Sequence, residues 1–201
     1  MNLDSDTDAT LMQRYRDGEL AAFELLYQRH KTALYRYLLR LCRDPDTAND
    51  VFQETWSKLI ASRARYEVRA QFKTFLYSVA RNAALDALRR TGRLQAHEWQ
   101  EIGELSDSLP AATHEQPEMQ AAEQQLRSDF QQTLEQLPAA QREAFLLFEE
   151  AGLNLHEIAA ITGASMETAK SRLRYAVRKL RVALHHYQPA HAEPHQQEAT
   201  S

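Results

Sequence analysis

On either side of residues 91–123, apolar side chains recur at steps of three or four positions. That spacing lays them along one stripe of an α-helix. A chain built this way has to bury its stripes against one another. The breakers are few, with five Gly and six Pro in 201 residues. Ala, Leu, Gln, Glu and Arg, all good helix formers, are abundant, and β-branched residues are sparse. The pattern predicts an all-α fold.

Residues 11–43 read as one or two helices, with Leu20, Phe23, Leu26, Tyr27, Leu34, Leu38 and Leu41 at helical spacing. Asp44-Pro45-Asp46 interrupts them, because proline lacks an N–H and disfavours helix in the residue before it. Asp46 or Thr47 is the expected cap of a helix running to about Ile60, with Val51, Phe52, Trp56, Leu59 and Ile60 on its apolar side. Trp56 and Phe52 are expected in the core. A polar, basic stretch over 62–71 precedes the clearest helix of this half, 72–90. There Phe72, Phe75, Leu76, Val79, Ala80, Ala83, Ala87 and Leu88 form the stripe, and Lys73, Arg81, Arg89 and Arg90 leave it.

From 91 to about 123 the periodicity fades, and Gly92, Gly103, Pro110 and Pro117 punctuate the segment. A connection this long is unusual inside one domain. The reading is two small helical bundles joined by a flexible acidic linker, with units at 10–92 and 125–187, the linker at 93–124 and a disordered tail at 188–201. Such a linker leaves the two halves unfixed relative to each other. In the second half a helix is expected over 126–137, and another starts at Pro138-Ala139-Ala140 and stops at Ala151-Gly152. Asn154 caps the next helix, with Glu157 closing a capping box. Thr162-Gly163-Ala164 is a tight turn, and Ser165 caps a long helix whose apolar positions are Ala169, Leu173, Val177, Leu180 and Leu184.

The net charge of -4 hides a strong segregation. Residues 23–90 carry 13 Lys/Arg against seven Asp/Glu, whereas 91–125 carry one basic residue, Arg93, against seven acids. Within 170–181 there are six basic residues and no acid. Two cationic surfaces separated by an acidic stretch mark a nucleic-acid partner.

Two helices joined by a short glycine-containing turn make a helix-turn-helix, and here the second helix carries the positive charge. Side chains at 167, 168, 170, 171, 174, 175 and 178 point away from its apolar stripe, where they can meet a groove or its phosphates. The segment Gly152-Leu153-Asn154-Leu155-His156-Glu157-Ile158-Ala159-Ala160-Ile161-Thr162-Gly163-Ala164-Ser165, with Met166-Glu167-Thr168-Ala169-Lys170-Ser171-Arg172-Leu173 after it, resembles region 4 of bacterial RNA polymerase sigma factors. Asp46-Thr47-Ala48-Asn49-Asp50-Val51-Phe52-Gln53-Glu54-Thr55-Trp56 resembles the polymerase-binding helix of region 2. Phe72-Lys73-Thr74-Phe75-Leu76-Tyr77-Ser78-Val79-Ala80-Arg81-Asn82-Ala83-Ala84-Leu85-Asp86 is similar to that region's promoter-melting helix. Two blocks in this order with no intervening domain resemble the extracytoplasmic-function group. Ser165, Ala169 and Phe75 stand where that group often has proline, valine and tryptophan, and Tyr175-Ala176-Val177 stands where Arg-Ala-Arg is common.

The resemblance implies a promoter-specificity subunit for a stress or envelope-type regulon. Asp50, Gln53 and Glu54 are implied contacts with the clamp of the largest polymerase subunit, and region 4 would meet the β flap. Tyr66 and Asn82 match positions that hold a flipped base of the -10 element, with Lys73 and Arg81 as further -10 contacts. Lys170, Ser171, Arg174 and Tyr175 match readers of the -35 element, while Thr168, Arg172 and Arg178 are placed for phosphates. Core RNA polymerase, promoter DNA and an anti-sigma factor are the implied partners.

No enzyme constellation is present in the sequence: Glu157 belongs to a cap, and neither a zinc-protease motif nor a phosphate-binding glycine loop occurs. No cofactor is implied. The single cysteine, Cys42, fits a reducing compartment. No apolar run approaches the roughly 20 residues of a membrane span, and residues 1–8 are acidic, so a cytoplasmic protein without membrane insertion is expected. His185, His186, His191 and His195 are read as part of a polar tail and its approach. Two other readings stay open here: a stand-alone helix-turn-helix regulator of duplex DNA, and an adaptor whose helices dock other proteins.

Overall fold

Gly18 divides the first long helical stretch. Its φ of 107° suits glycine alone, so the chain turns there between α1 (Asp8–Arg16) and α2 (Leu20–Cys42). The computed structural model describes residues 3–66, 71–93 and 119–187. Helix α2 stops because Asp44, preceding a proline, is extended (φ -150°, ψ 118°), which leaves Arg43 to make the reversal in the left-handed region at φ 57°. Helix α3 (Pro45–Ser62) follows. Its cap is Asp44, not Asp46 or Thr47: Pro45 occupies the first helical position, where its missing N–H costs nothing, and the Asp44 carboxylate accepts from Thr47 N at 3.1 Å. Helix α4 (Phe72–Arg90) completes the first bundle, and Arg93 pairs with Asp44 at 3.1 Å to tie its end to the start of α3.

The apolar stripes meet largely as the sequence predicts, but Leu20 at the start of α2 and Ile60 near the end of α3 are exposed. Leu26, Leu34, Leu38, Val51, Leu59 and Leu76 are buried. Trp56 sits in an aromatic cluster with Phe23 at 5.9 Å, Tyr27 at 5.0 Å and Phe52 at 6.2 Å between ring centroids. Trp56 is therefore core, and Phe52 packs half-buried against it.

In the second bundle α5 spans Met119–Glu135, so it begins inside the segment read as linker. Met119, Gln120, Ala121, Ala122, Glu123 and Gln124 are good helix formers without an apolar stripe, so their propensity shows no periodicity. Helices α6 (Ala139–Glu149), α7 (Leu155–Thr162) and α8 (Met166–Ala183) follow at the expected starts. The Tyr187 hydroxyl donates to Asp129 Oδ2 at 2.8 Å, fastening the end of this bundle to α5.

The two bundles do not lie free of each other, which corrects the expectation drawn from the linker. Helix α4 packs on α7 and α2 on α6, and the buried side chains form one cluster across both. Charge adds to that shared apolar burial. Basic residues of the first bundle face glutamates of the second: Arg36 Nε lies 2.7 Å from Glu150, Arg40 bonds the same carboxylate, and Arg81 Nε lies 2.8 Å from Glu143. The linker proper and the histidine-containing tail fall outside the described residues. Among the described residues no helix is long and apolar enough to cross a membrane.

Candidate nucleic-acid interface

The α7–α8 unit is fixed by strictly local chemistry. Asn154 Oδ1 accepts from Glu157 N at 3.1 Å, and Glu157 returns the bond to Asn154 N at 2.8 Å. Gly163 takes φ 67°, and Ser165 Oγ accepts from Thr168 N at 3.1 Å. Ala169, Ala176 and Leu180 anchor α8 in the bundle. Lys170, Arg174 and Arg178, four residues apart, are exposed along its outer side, as is Tyr175, whose ring lies 5.3 Å from the Arg174 guanidinium. Thr168, Ser171 and Arg172 are half-buried. The Thr168 hydroxyl is engaged at 2.8 Å by Ser165, and Arg172 lies close enough to Glu143 to oppose the rise that burial imposes on its carboxyl's pKa. A row of cations on a rigid helix suits a polyanion's grooves and phosphates.

The residues expected to act on the -10 element divide between two faces of α4. Asn82 is exposed and lies two turns from Phe75, so the two share a face. Tyr66 packs edge-on to Phe75, with centroids 5.6 Å apart, and retains only 6% of its surface. Burial, followed by the nearby Asp8 charge, raises its phenol pKa, and its hydroxyl has no hydrogen-bond partner among the described residues. Lys73 and Arg81 step by helical spacing along a different face, the one covered by the second bundle. A Cβ at Gly152 would lie 3.8 Å from Lys73 Nζ, Thr74 donates to Glu157 at 3.2 Å, and Arg81 meets Glu143.

Asp50 and Gln53 are exposed on α3, and Glu54 beside them is half-buried, 2.7 Å from Lys58 and 3.9 Å from Arg90. These three do share one outward side of the helix.

Sequence reasoning missed Glu143 and Glu150. Glu143 is 1% exposed; burial pushes its carboxyl pKa up, against the pull of Arg81, Arg172 and Arg142. The signal was available: Glu143 falls three or four residues from Ala139, Ala140, Leu146 and Leu147, inside the apolar stripe of α6. A charge there needs a partner from elsewhere.

Comparison with known proteins places both bundles. Residues 26–94 match the family model for Sigma-70 region 2, and residues 127–180 match that for Sigma-70, region 4. The chain is 34% identical over 173 residues to "RNA polymerase sigma factor CarQ" of Myxococcus xanthus, covering 86% of this chain and 95% of that protein. It is also 34% identical to "ECF RNA polymerase sigma factor SigL" of Mycobacterium tuberculosis, over 83% of this chain and 91% of the other. Among solved structures, CnrH in complex with the cytosolic domain of CnrY superposes with a TM-score of 0.64 at 21% identity, covering 91% of this chain and all of that one, a likeness of fold. The sigma factor RpoE of Bartonella quintana, solved with the anti-sigma factor NepR, superposes at 0.60 with 27% identity over 81% of this chain and 96% of that one. A region 2 match over one bundle and a region 4 match over the other, independent and in the same order, make this chain a member of the sigma-70 family of RNA polymerase sigma factors, in its extracytoplasmic-function (ECF) group, and thus a non-catalytic, polymerase-binding protein.

Proposed function

We propose that this chain is a cytoplasmic promoter-specificity subunit that docks on core RNA polymerase, reads the -35 and -10 elements and assists promoter melting for a stress or envelope-type regulon. The observation that carries the proposal is the exposed row Lys170, Arg174 and Arg178 on a rigid helix, in the same chain as a second bundle that exposes Asn82 on α4 and Asp50 and Gln53 on α3. Residues 10–92 act as region 2, 93–124 as linker, 125–187 as region 4 and 188–201 as tail. Asp50, Gln53 and Glu54 contact the clamp of the largest subunit, and region 4 contacts the β flap. Lys170, Ser171, Arg174 and Tyr175 read -35 base edges, with Thr168, Arg172 and Arg178 on phosphates. Tyr66 and Asn82 hold an extruded -10 base, and Lys73 and Arg81 hold the strand that carries it. An anti-sigma factor is the proposed regulator, supported by the NepR-bound relative.

The test is a reconstituted holoenzyme on one duplex promoter, with promoter binding and permanganate reactivity of unpaired thymines followed together. Arg174→Ala weakens binding, each lost base contact being worth about 1 to 3 kcal/mol. Asn82→Ala leaves closed-complex binding near wild type and lowers the open fraction. Normal opening by Asn82→Ala and normal binding by Arg174→Ala together sink the assignment. Specific nanomolar binding by the chain without polymerase at physiological salt favours the stand-alone regulator instead.

A further inference from the structure

We infer that α1 is a positioning element for Tyr66: through Tyr15 and Asp8 it holds the chain on either side of that residue, so promoter opening depends on two side chains that bind no DNA. The inference deepens the proposed base-holding role of Tyr66 and rests on that reading for its consequence in opening.

Helix α1 precedes the stretch, 26–94, that matches region 2, yet it is built into the same bundle. Leu11 and Met12 are fully buried and Tyr15 keeps 3% of its surface, while α1 packs on α2, on α4 and on the 3-10 turn Arg63–Arg65. Two lines of contact run from it to the Tyr66–Phe75 pair. The first passes through Tyr15, whose ring lies 5.5 Å from the Arg63 guanidinium. The Arg63 carbonyl in turn accepts from Tyr66 N at 3.3 Å. The second passes through Asp8, 2.7 Å from His30 Nε2, and the His30 ring lies 5.2 Å from Phe72. Phe72 is 2% exposed and sits one turn before Phe75, the ring on which Tyr66 packs. Asp8 also lies near enough to the Tyr66 phenol for its charge to act on it, second to burial.

Both lines grip residues that flank Tyr66, one before it in sequence and one after. They fix its backbone and leave rotation about the side-chain torsions free, so the ring can leave Phe75 while its Cα stays in place. A residue held this way loses less freedom on taking up a ligand than one on a loose segment. Neither anchor can serve as a strand contact itself. Tyr15 is buried, and Asp8 is an anion that a phosphate repels.

The experiment uses the full chain in two settings. In the free protein labelled with 3-fluorotyrosine, fluorine NMR follows the Tyr66 resonance, assigned with Y66F. In reconstituted holoenzyme, closed-complex binding and permanganate reactivity are measured on one duplex promoter. Y15L, which keeps an apolar body and removes the π face, and D8N are each expected to move the Tyr66 resonance. Y15L is expected to lower the open-to-closed ratio by about two- to fivefold, the factor for one cation–π contact at an exposed site, with closed-complex binding unchanged. Y15F, which keeps the π face, should open as wild type does. In a Y66A background Y15L should cost nothing further, since residues acting through one another are not additive. Should Y15L fail to fold by circular dichroism, R63Q, on an exposed side chain, carries the same test. Folded Y15L and D8N chains with an unmoved Tyr66 resonance overturn the proposal, and so does an opening defect of Y15L that persists in full without Tyr66. A moved resonance together with normal opening by Y66A supports the positioning and removes the base-holding role of Tyr66, so the two readings fail separately.

Discussion

The Asp8 carboxylate and the His30 imidazole lie 2.7 Å apart, Oδ2 to Nε2, where α1 packs on α2. Arg29 donates to the other oxygen of the same carboxylate at 3.0 Å, and the His30 ring rests 5.2 Å from Phe72 at the first turn of α4. One acid thus holds α1 against both neighbours while also favouring the positive end of its own helix.

Burial alone would raise the pKa of Asp8, but the hydrogen bonds and charges of His30 and Arg29 outweigh it and hold the carboxyl below its ordinary value. A carboxyl held low contributes stability that is present above its unfolded pKa and is lost as pH falls through the folded one. Asp8→Asn is therefore expected to lower stability by about 1 to 3 kcal/mol at neutral pH, the cost of a lost charged hydrogen-bond network. The difference from wild type should shrink as the solution is acidified below the usual carboxylate range. Urea unfolding at several pH values checks it; a difference that stays constant into strong acid contradicts the assignment.

Gly163 sits at φ 67° with open space where a Cβ would point. Any loss on substitution is then backbone strain and not a clash. Gly163→Ala should destabilise the chain by about 1 kcal/mol, and Gly163→Asn by less, since asparagine tolerates the left-handed region. Thermal melts of the two variants decide this, and equal losses would speak against the strain argument.

Cys42 is 2% exposed, and burial, with the nearby Asp44 charge, leaves its thiol pushed up to about 12. The thiolate is the reactive form. In the folded chain at pH 8, Cys42 should resist a disulfide-exchange reagent for as long as the fold persists, then react fully in denaturant. Stoichiometric reaction within minutes under native conditions contradicts the burial.

Asp50 and Gln53 are exposed on α3, so replacing them removes no buried packing. Asp50→Ala combined with Gln53→Ala is expected to leave the melting temperature within about the change of a neutral surface substitution, roughly 0.5 kcal/mol. Affinity for core polymerase should fall at least tenfold, about 1.4 kcal/mol. A titration of core enzyme with labelled chain separates the two effects.

What could be read from sequence is what is decided within a turn or two of chain. Asn154, Glu157, Gly163 and Ser165 act on neighbours three residues away or on their own backbone, so the helix-turn-helix was legible down to its caps. The α3 cap was displaced by two or three residues because Pro45 recruits the residue before it. Contacts between bundles were not legible: Arg81 and Glu143 are 62 residues apart, and Arg36 and Glu150 are 114. Each residue is ordinary in its own helix, and only the misplaced charge of Glu143 on an apolar stripe pointed outward. The burial of Tyr66 depends on where the Phe75 ring comes to rest, which no local rule fixes.

That packed ring has a thermodynamic consequence for how the two halves of a promoter would be sensed. The outer side of α8 is organised before any ligand arrives, so complementarity at the upstream site is expressed directly in the encounter. If Tyr66 holds a base as proposed, it must first leave its place against Phe75, and the reward for doing so exists only once a base has left the duplex stack. The two rearrangements are therefore coupled, and neither is favourable alone. Discrimination downstream then accrues in the isomerisation of a complex already formed, so sequence changes there should alter the rate and extent of opening while the initial dissociation constant stays nearly level.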